Sequence, residues 1–338
     1  MTVPNNTTMS PIVDQHFEIF NETRSSVSSL ERILIATLLS PIIVLGIVGN
    51  IFSLLVWIKG RRRKTSTARY LSALAVADIL VLGIPATEFW IDNVLEIFLS
   101  DTNNVACRSL SYCLYLLPAI SAWILVTVTI ERTISVWCPH RVSVVCRPNI
   151  AVILVIVFTL LLSIVYLPVY MGSGLRRFVN VPTNGDVPDS QDECEILTSS
   201  LFGISSLTMI FVDLCVLFVF PFIIILICNI SILLKVICVK RMRRNTLQER
   251  GGQQNSSRQN ILKTVTCRII ILSTAFLICN APLLLFNALD SYESNVSVDD
   301  ANVYSTVFHI CMFLNNGVNF LLYCLIGSGF RKDFIGIF

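Results

Sequence analysis

VNFLLY, residues 318–323, sets the amide of Asn319 inside a run whose neighbours are mostly suited to hydrocarbon. Lipid offers an amide no hydrogen-bond partner, so the partner has to come from the protein itself. Where it comes from decides the fold, and the rest of the chain supplies the answer.

Composition narrows the class first. Of 338 residues, 54% are hydrophobic and 14% charged, and the mean hydropathy is +0.74. Soluble domains carry about 25% charged residues, so an ordinary soluble enzyme is excluded. The net charge of +3 says less than its placement. The 12 cysteines contain no CxxC pair, which argues against a zinc ribbon or dithiol motif. Most sit in apolar runs, where a thiol behaves as a small buried hydrophobe.

A membrane helix needs roughly 20 mostly apolar residues. Seven runs qualify: 33–58, 70–91, 108–137, 150–171, 205–237, 267–289 and 304–326. They are spans one to seven below. The third and fifth are long enough to project beyond a bilayer. The sequence therefore predicts an all-α membrane protein, a seven-helix transmembrane bundle over residues 33–326. No internal repeat is visible, which weakens a transporter reading.

Loop charge sets the expected orientation. KGRRRKTSTAR, between spans one and two, holds six bases and no acid, and in residues 238–266 Glu249 is the only acid. SYESNVSVDDANV, before span seven, holds acids and no base. The segment 172–196 holds five acids against Arg176 and Arg177. Positive loops stay in the cytoplasm, so the N-terminus is expected outside and the C-terminus inside. Residues 1–32 read as an extracellular tail in which Asn5, Asn6 and Asn21 each begin a glycosylation sequon. The run Arg61–Lys64 reads as a topology determinant touching lipid headgroups rather than nucleic acid.

Polar groups inside the spans need partners. Asp78 lies in span two, Asn50 in span one, Ser121 in span three, and Asn315, Asn316 and Asn319 in span seven. Asn315 and Asn319 are four apart and share a helix face. Gathered around Asp78, these groups would suit a small hard cation such as sodium, with Asp78, Ser121, Asn315 and Asn319 as the oxygen donors. A protonated Asp78 that merely bridges helices is the other reading, and both stay open. No other cofactor is expected.

In order along the chain stand GN at 49–50, LAVAD at 74–78, Cys107, ERT at 131–133, Pro168, Pro221, FLICNAP at 276–282, NFLLY at 319–323 and GFRKDF. Over residues 30–336 this series resembles the rhodopsin-class G-protein-coupled receptors. CNAP with NFLLYC is most similar to invertebrate FMRFamide-receptor-like neuropeptide receptors. Several positions depart from the family pattern. Asn280 replaces a tryptophan, Phe320 a proline, Thr133 a tyrosine, Phe158 a tryptophan and Asn229 a tyrosine. Losing the proline removes a kink source, so a straighter span seven is expected.

The resemblance implies roles by position. Residues 327–338 would form a short amphipathic eighth helix on the inner leaflet. Cys107 and Cys194 would form a disulfide that ties an extracellular loop over the bundle mouth. Glu131 would hold Arg132 at rest, and Arg132 would be released towards a heterotrimeric G protein. Phe276, Asn280, Pro282 and Tyr323 would take part in activation. The bland readings are a boundary arginine snorkelling to the headgroups and an interfacial tyrosine.

The ligand is expected among the outer thirds of the spans. Leu114 stands where amine receptors carry an aspartate, and span seven has no lysine for a retinal Schiff base. Glu88 and Asp92 share a face of span two, and Asp290, Asp299 and Asp300 add to an acidic mouth. Tyr115, Trp90, Phe286, His309 and Phe313 offer aromatic surface. A basic, aromatic, RFamide-like peptide would match. A small non-peptide or lipid ligand is the competing reading, and a channel or transporter a remote one. No HExxH or GxSxG motif supports an enzyme. The expected location is the plasma membrane.

Overall fold

The computed structural model describes residues 28–61, 63–180, 189–196, 206–247, 270–271, 273–280, 298–326 and 328–337. Among them, five helical spans are long and apolar enough to cross a membrane: Ser29–Lys59, Ser66–Leu95, Asn104–Trp137, Pro148–Gly172 and Phe211–Lys235. These are spans one to five. Span seven is a bent pair, Asn302–Gly317 and Asn319–Leu325, with 52° between its halves. Residues 273–280 of span six are helical, and most of its expected length lies outside the described residues. So do Asn5, Asn6, Asn21, Pro282, Phe286 and Asp290.

Local chemistry starts each helix. Ser28 caps span one, accepting from Glu31 N while Glu31 Oε2 accepts from Ser28 N. That cap starts the helix four residues before the expected boundary. Thr65 Oγ1 accepts from Ala68 N at the start of span two. Asn103 Oδ1 accepts from both Val105 N and Ala106 N at the start of span three. The first helical stretch of span two ends at Gly83, Pro85 opens the next, and Thr87 Oγ1 donates to the Leu82 carbonyl across the break.

Span three is the axis of the bundle. Two thirds (67%) of its apolar window is buried, against 17% for span four. Tyr112 Oη donates to the Ser163 carbonyl of span four, and Trp123 Nε1 donates to the Val216 carbonyl of span five. Cys107 and Cys194 form a disulfide. It joins span three to an antiparallel hairpin, β1 (Ser173–Asn180) and β2 (Asp189–Ile196). The sequence reading assigned no strands here. Across the hairpin Arg177 pairs with Asp192 at 2.9 Å, which holds the Asp192 carboxyl below its ordinary range. The terminal helix Ser328–Ile335 occupies the stretch expected to be amphipathic.

The bend in span seven corrects the expectation of a straighter helix. A proline is one way to break a helical ladder; removing a carbonyl from it is another. Asn50 Nδ2 donates to the Asn316 carbonyl at 2.8 Å and thereby draws that carbonyl towards span one. Gly317 sits at the break and packs directly on span one. A Cβ at Gly46 would stand 2.9 Å from Gly317 Cα, and one at Gly49 would stand 2.9 Å from Phe320 Cβ. Phe320, where the family carries proline, thus fills the space that Gly49 leaves open. Its ring meets Phe52, Phe330 and Phe334 at 5.6–6.0 Å, which binds span one, span seven and the terminal helix together.

Gly46→Ala should therefore destabilise the bundle by about 1–3 kcal/mol, the usual result of overpacking. Gly83→Ala, where an added Cβ meets nothing within 4 Å, is the control. Thermal unfolding of purified protein should show a lower Tm for the first variant only.

Candidate functional site: a buried polar cluster beneath an acidic cleft

Asn319 finds its partner on span two. Its Nδ2 donates to Asp78 Oδ2 at 2.5 Å, and Ser121 Oγ donates to Asp78 Oδ1 at 2.8 Å. Asp78 is fully buried, and Asn319 and Ser121 are 7% and 6% exposed. Asn316 Oδ1 stands 3.3 Å from Ser121 Oγ, while Asn316 Nδ2 donates to its own helix at Met312 O. Spans two, three and seven each contribute a group, and span one joins through Asn50. Three of the four expected residues thus meet, but Asn319 presents its Nδ2 to Asp78, not the oxygen that was expected of it. Asn315 does not join them: it is half-buried, and Asn316, one position on, turns towards Ser121 instead. The 3.6-residue turn decides this, since neighbouring positions differ by about 100° in direction. The oxygens of Asp78, Ser121 and Asn316 converge without a lysine or arginine among them, a donor set that fits sodium.

At the end of the bundle away from the disulfide, Glu131 and Arg132 pair at 3.0 Å. Ser66 Oγ of span two also donates to Glu131 Oε1 at 2.9 Å. The acid that restrains Arg132 is therefore itself anchored, a contact that the sequence reading missed. Arg132 is not a snorkelling boundary residue, because its side chain is 11% exposed. Tyr323 is buried rather than interfacial, with Trp57 edge-on at 5.6 Å and Phe330 at 5.4 Å. Phe276 is buried, and Asn280 Nδ2 donates back to the Phe276 carbonyl. Asn229 and Ser273 hydrogen-bond at 2.7 Å, linking spans five and six where the family carries a tyrosine.

At the disulfide end a cleft of about 210 Å3 opens between spans two and three. Glu88, Asp92, Phe89, Ser111, Leu114 and Cys194 are among its lining residues. Glu88 and Asp92 thus share one surface, as their spacing predicts. Cys194 N donates to Asp101 Oδ1 at 2.8 Å, and Arg108 Nε donates to the Ser173 carbonyl, so the hairpin is pinned above the cleft.

The described aromatic residues expected at the mouth, Phe286 lying outside them, pack against neighbouring side chains instead. Phe313 is fully buried in the core, and His309 stacks on Phe89 at 5.3 Å while its Nδ1 lies 2.8 Å from the Ser305 carbonyl. Trp90 turns to span one and donates to Ser40 Oγ. Tyr115 packs on Tyr166 at 6.1 Å. Tyr166 Oη donates to Asp213 Oδ1 at 2.8 Å. Asp213 is an acid inside span five that the sequence reading passed over, although a carboxylate in an apolar run is itself a signal.

The comparisons agree with this geometry. A family model described as 7 transmembrane receptor (rhodopsin family) matches residues 49–323. Neuropeptide Y receptor type 6 of Mus musculus is 28% identical over 304 residues, covering 86% of this chain and 76% of that receptor. Neuromedin-U receptor 1 of Homo sapiens is 26% identical over 313 residues, covering 87% and 70%. A probable G-protein coupled receptor of Caenorhabditis elegans is 25% identical over 334 residues, covering 95% and 73%. With the family match spanning most of its length, the chain belongs to the rhodopsin family of seven-transmembrane receptors.

Proposed function

We propose that this receptor stands in the plasma membrane with its N-terminus outside and is activated by a basic, aromatic, RFamide-like peptide. The observation that carries the reading is the cleft under the pinned hairpin, with Glu88 and Asp92 on one wall. The Glu88 carboxylate makes no hydrogen bond or ion pair with another described residue, which leaves it open to a ligand cation. The names of the relatives, neuropeptide Y and neuromedin-U receptors, support a peptide.

In this reading the signal leaves through Arg132 to a heterotrimeric G protein. Ser66 and Glu131 hold the resting arrangement, and the agonist shifts a pre-existing equilibrium by binding one packing more tightly. Sodium held by Asp78, Ser121 and Asn316 would add positive charge to the core and favour the closed packing around it. Membrane lipids complete the surroundings, with Arg61 near the inner leaflet and paired to Asp333 of the terminal helix at 2.9 Å.

A charge-assisted hydrogen bond contributes about 1.5–3 kcal/mol, or roughly ten- to 150-fold in affinity. Glu88→Gln should weaken an amidated arginine-containing agonist by that factor and leave a neutral analogue unchanged. Such an agonist is first selected from an amidated peptide library by calcium response in expressing cells. Equal losses for both peptides, or activation by neutral lipids alone, would refute the assignment. Asp78→Asn should abolish the effect of sodium on agonist affinity, and a persisting sodium effect would place the ion elsewhere. Cys194→Ser should sharply reduce ligand-competent receptor at the cell surface, measured by surface labelling against total protein.

A further inference from the structure

The cleft is smaller than the ligand proposed for it. Its volume is about 210 Å3, below the roughly 300–1,000 Å3 of most ligand pockets. It has room for a basic side chain beside Glu88 and Asp92, and the rest of a peptide has to lie on the rim. Nor does the cleft spare a ring for the ligand's aromatic part. Phe89 lines it, but that ring is stacked on His309 at 5.3 Å and tilted against Phe313 at 6.0 Å.

Beside the acids the rim carries an apolar stretch. Asp92 and Ser100 both line the cleft, so the chain between them runs along its edge. Four residues of that stretch are large, apolar and open: Leu95 is 50% exposed, Ile97 52%, Phe98 41% and Leu99 38%. Single exposed apolar side chains are ordinary, whereas a contiguous group marks a surface that something covers.

Hydrocarbon is not the cover. Glu96 stands among the four and pairs with Arg32 of span one, the two side chains being 58% and 40% exposed. An exposed ion pair stands in water or among headgroups, not among acyl chains. Arg32 also directly precedes the apolar run 33–58, which puts this level at the end of the span. Among the described residues other than glycine, Glu96 alone has a positive φ, 58°. A Cβ disfavours that conformation, and outliers held in place gather at ligand clamps. The pairing with Arg32 holds the turn, and the turn leads from span two into Ile97, Phe98 and Leu99.

We infer that Leu95, Ile97, Phe98 and Leu99 form a shelf for the aromatic side chain that adjoins the ligand's cation, while Glu88 and Asp92 take the cation itself. The shelf completes the peptide reading above, on which it rests, by recognising the half of the ligand that carboxylates cannot. A ligand whose aromatic residue stands next to its basic one spans both surfaces. A basic ligand without a neighbouring ring engages the acids alone.

Two defined probes test this, the amides of arginyl-phenylalanine and arginyl-alanine, titrated against the full chain in lipid nanodiscs by saturation-transfer NMR. The phenylalanyl probe should bind about tenfold more tightly, as burial of part of a ring predicts. Ile97→Ser combined with Leu99→Ser should remove most of that preference and leave the affinity of the alanyl probe unchanged, which also shows that the variant is folded. No preference in the unaltered chain, or a preference that survives the double change, overturns the shelf. Glu88→Gln should weaken both probes alike and keep their ratio; if it weakens neither, the acid wall fails while the shelf stands. A benzophenone side chain carried at position 97 gives an independent reading. Under near-ultraviolet light it should crosslink to the phenylalanyl probe, and crosslinking to lipid alone overturns the inference even where the double variant does not fold.

Discussion

One carboxylate in hydrocarbon constrains this molecule more than any other group. Asp78 is fully buried, so its oxygens depend on other side chains for hydrogen bonds. Ser121 and Asn319 supply the donors, and each comes from a different helix. A carboxylate satisfied in this way fixes the relative height and rotation of spans two, three and seven together. Asn50 adds span one by taking the Asn316 carbonyl. Four helices are thus held in register by a handful of hydrogen bonds at one depth. Van der Waals packing alone would allow those helices to slide, because lipid tails are as apolar as their surfaces.

The same contact explains the bend in span seven. The diverted Asn316 carbonyl breaks the ladder, and Gly317 lets span one approach at that point. Phe320 then enters the gap beside Gly49 and stacks into the aromatic group that carries the terminal helix. A proline would have broken the ladder without filling this space. The substitution exchanges one cause of bending for another while adding ring contacts at the inner rim.

Around that fixed middle, the two ends have different characters. The disulfide end is a cleft with carboxylates on one wall, roofed by a hairpin that the disulfide, Asp101 and Arg108 hold in place. The opposite end is a closed set of ion pairs and rings, with Arg132 kept by Glu131 and Glu131 kept by Ser66. Membership of the rhodopsin family sets aside the channel and enzyme readings that composition left open.

Much of this was legible in the chain itself. Apolar runs of membrane length, and amides and a carboxylate within them, are local properties that need no partner to be recognised. The sharing of one face by Glu88 and Asp92 follows from helical spacing, and the Cys107–Cys194 pairing followed from the family resemblance. What the chain could not display was direction across the bundle. Whether Asn315 or Asn316 meets Ser121 depends on a rotation of about 100° per residue, which only the packing of span seven against its neighbours sets. Whether Phe313, His309, Trp90 and Tyr115 line the mouth or pack inward depends on the neighbouring helix, and in each case that neighbour offered a ring or a hydroxyl. The sequence determined that polar groups would be buried together; tertiary packing alone decided which of them touch, because the partner of a buried group belongs to another helix.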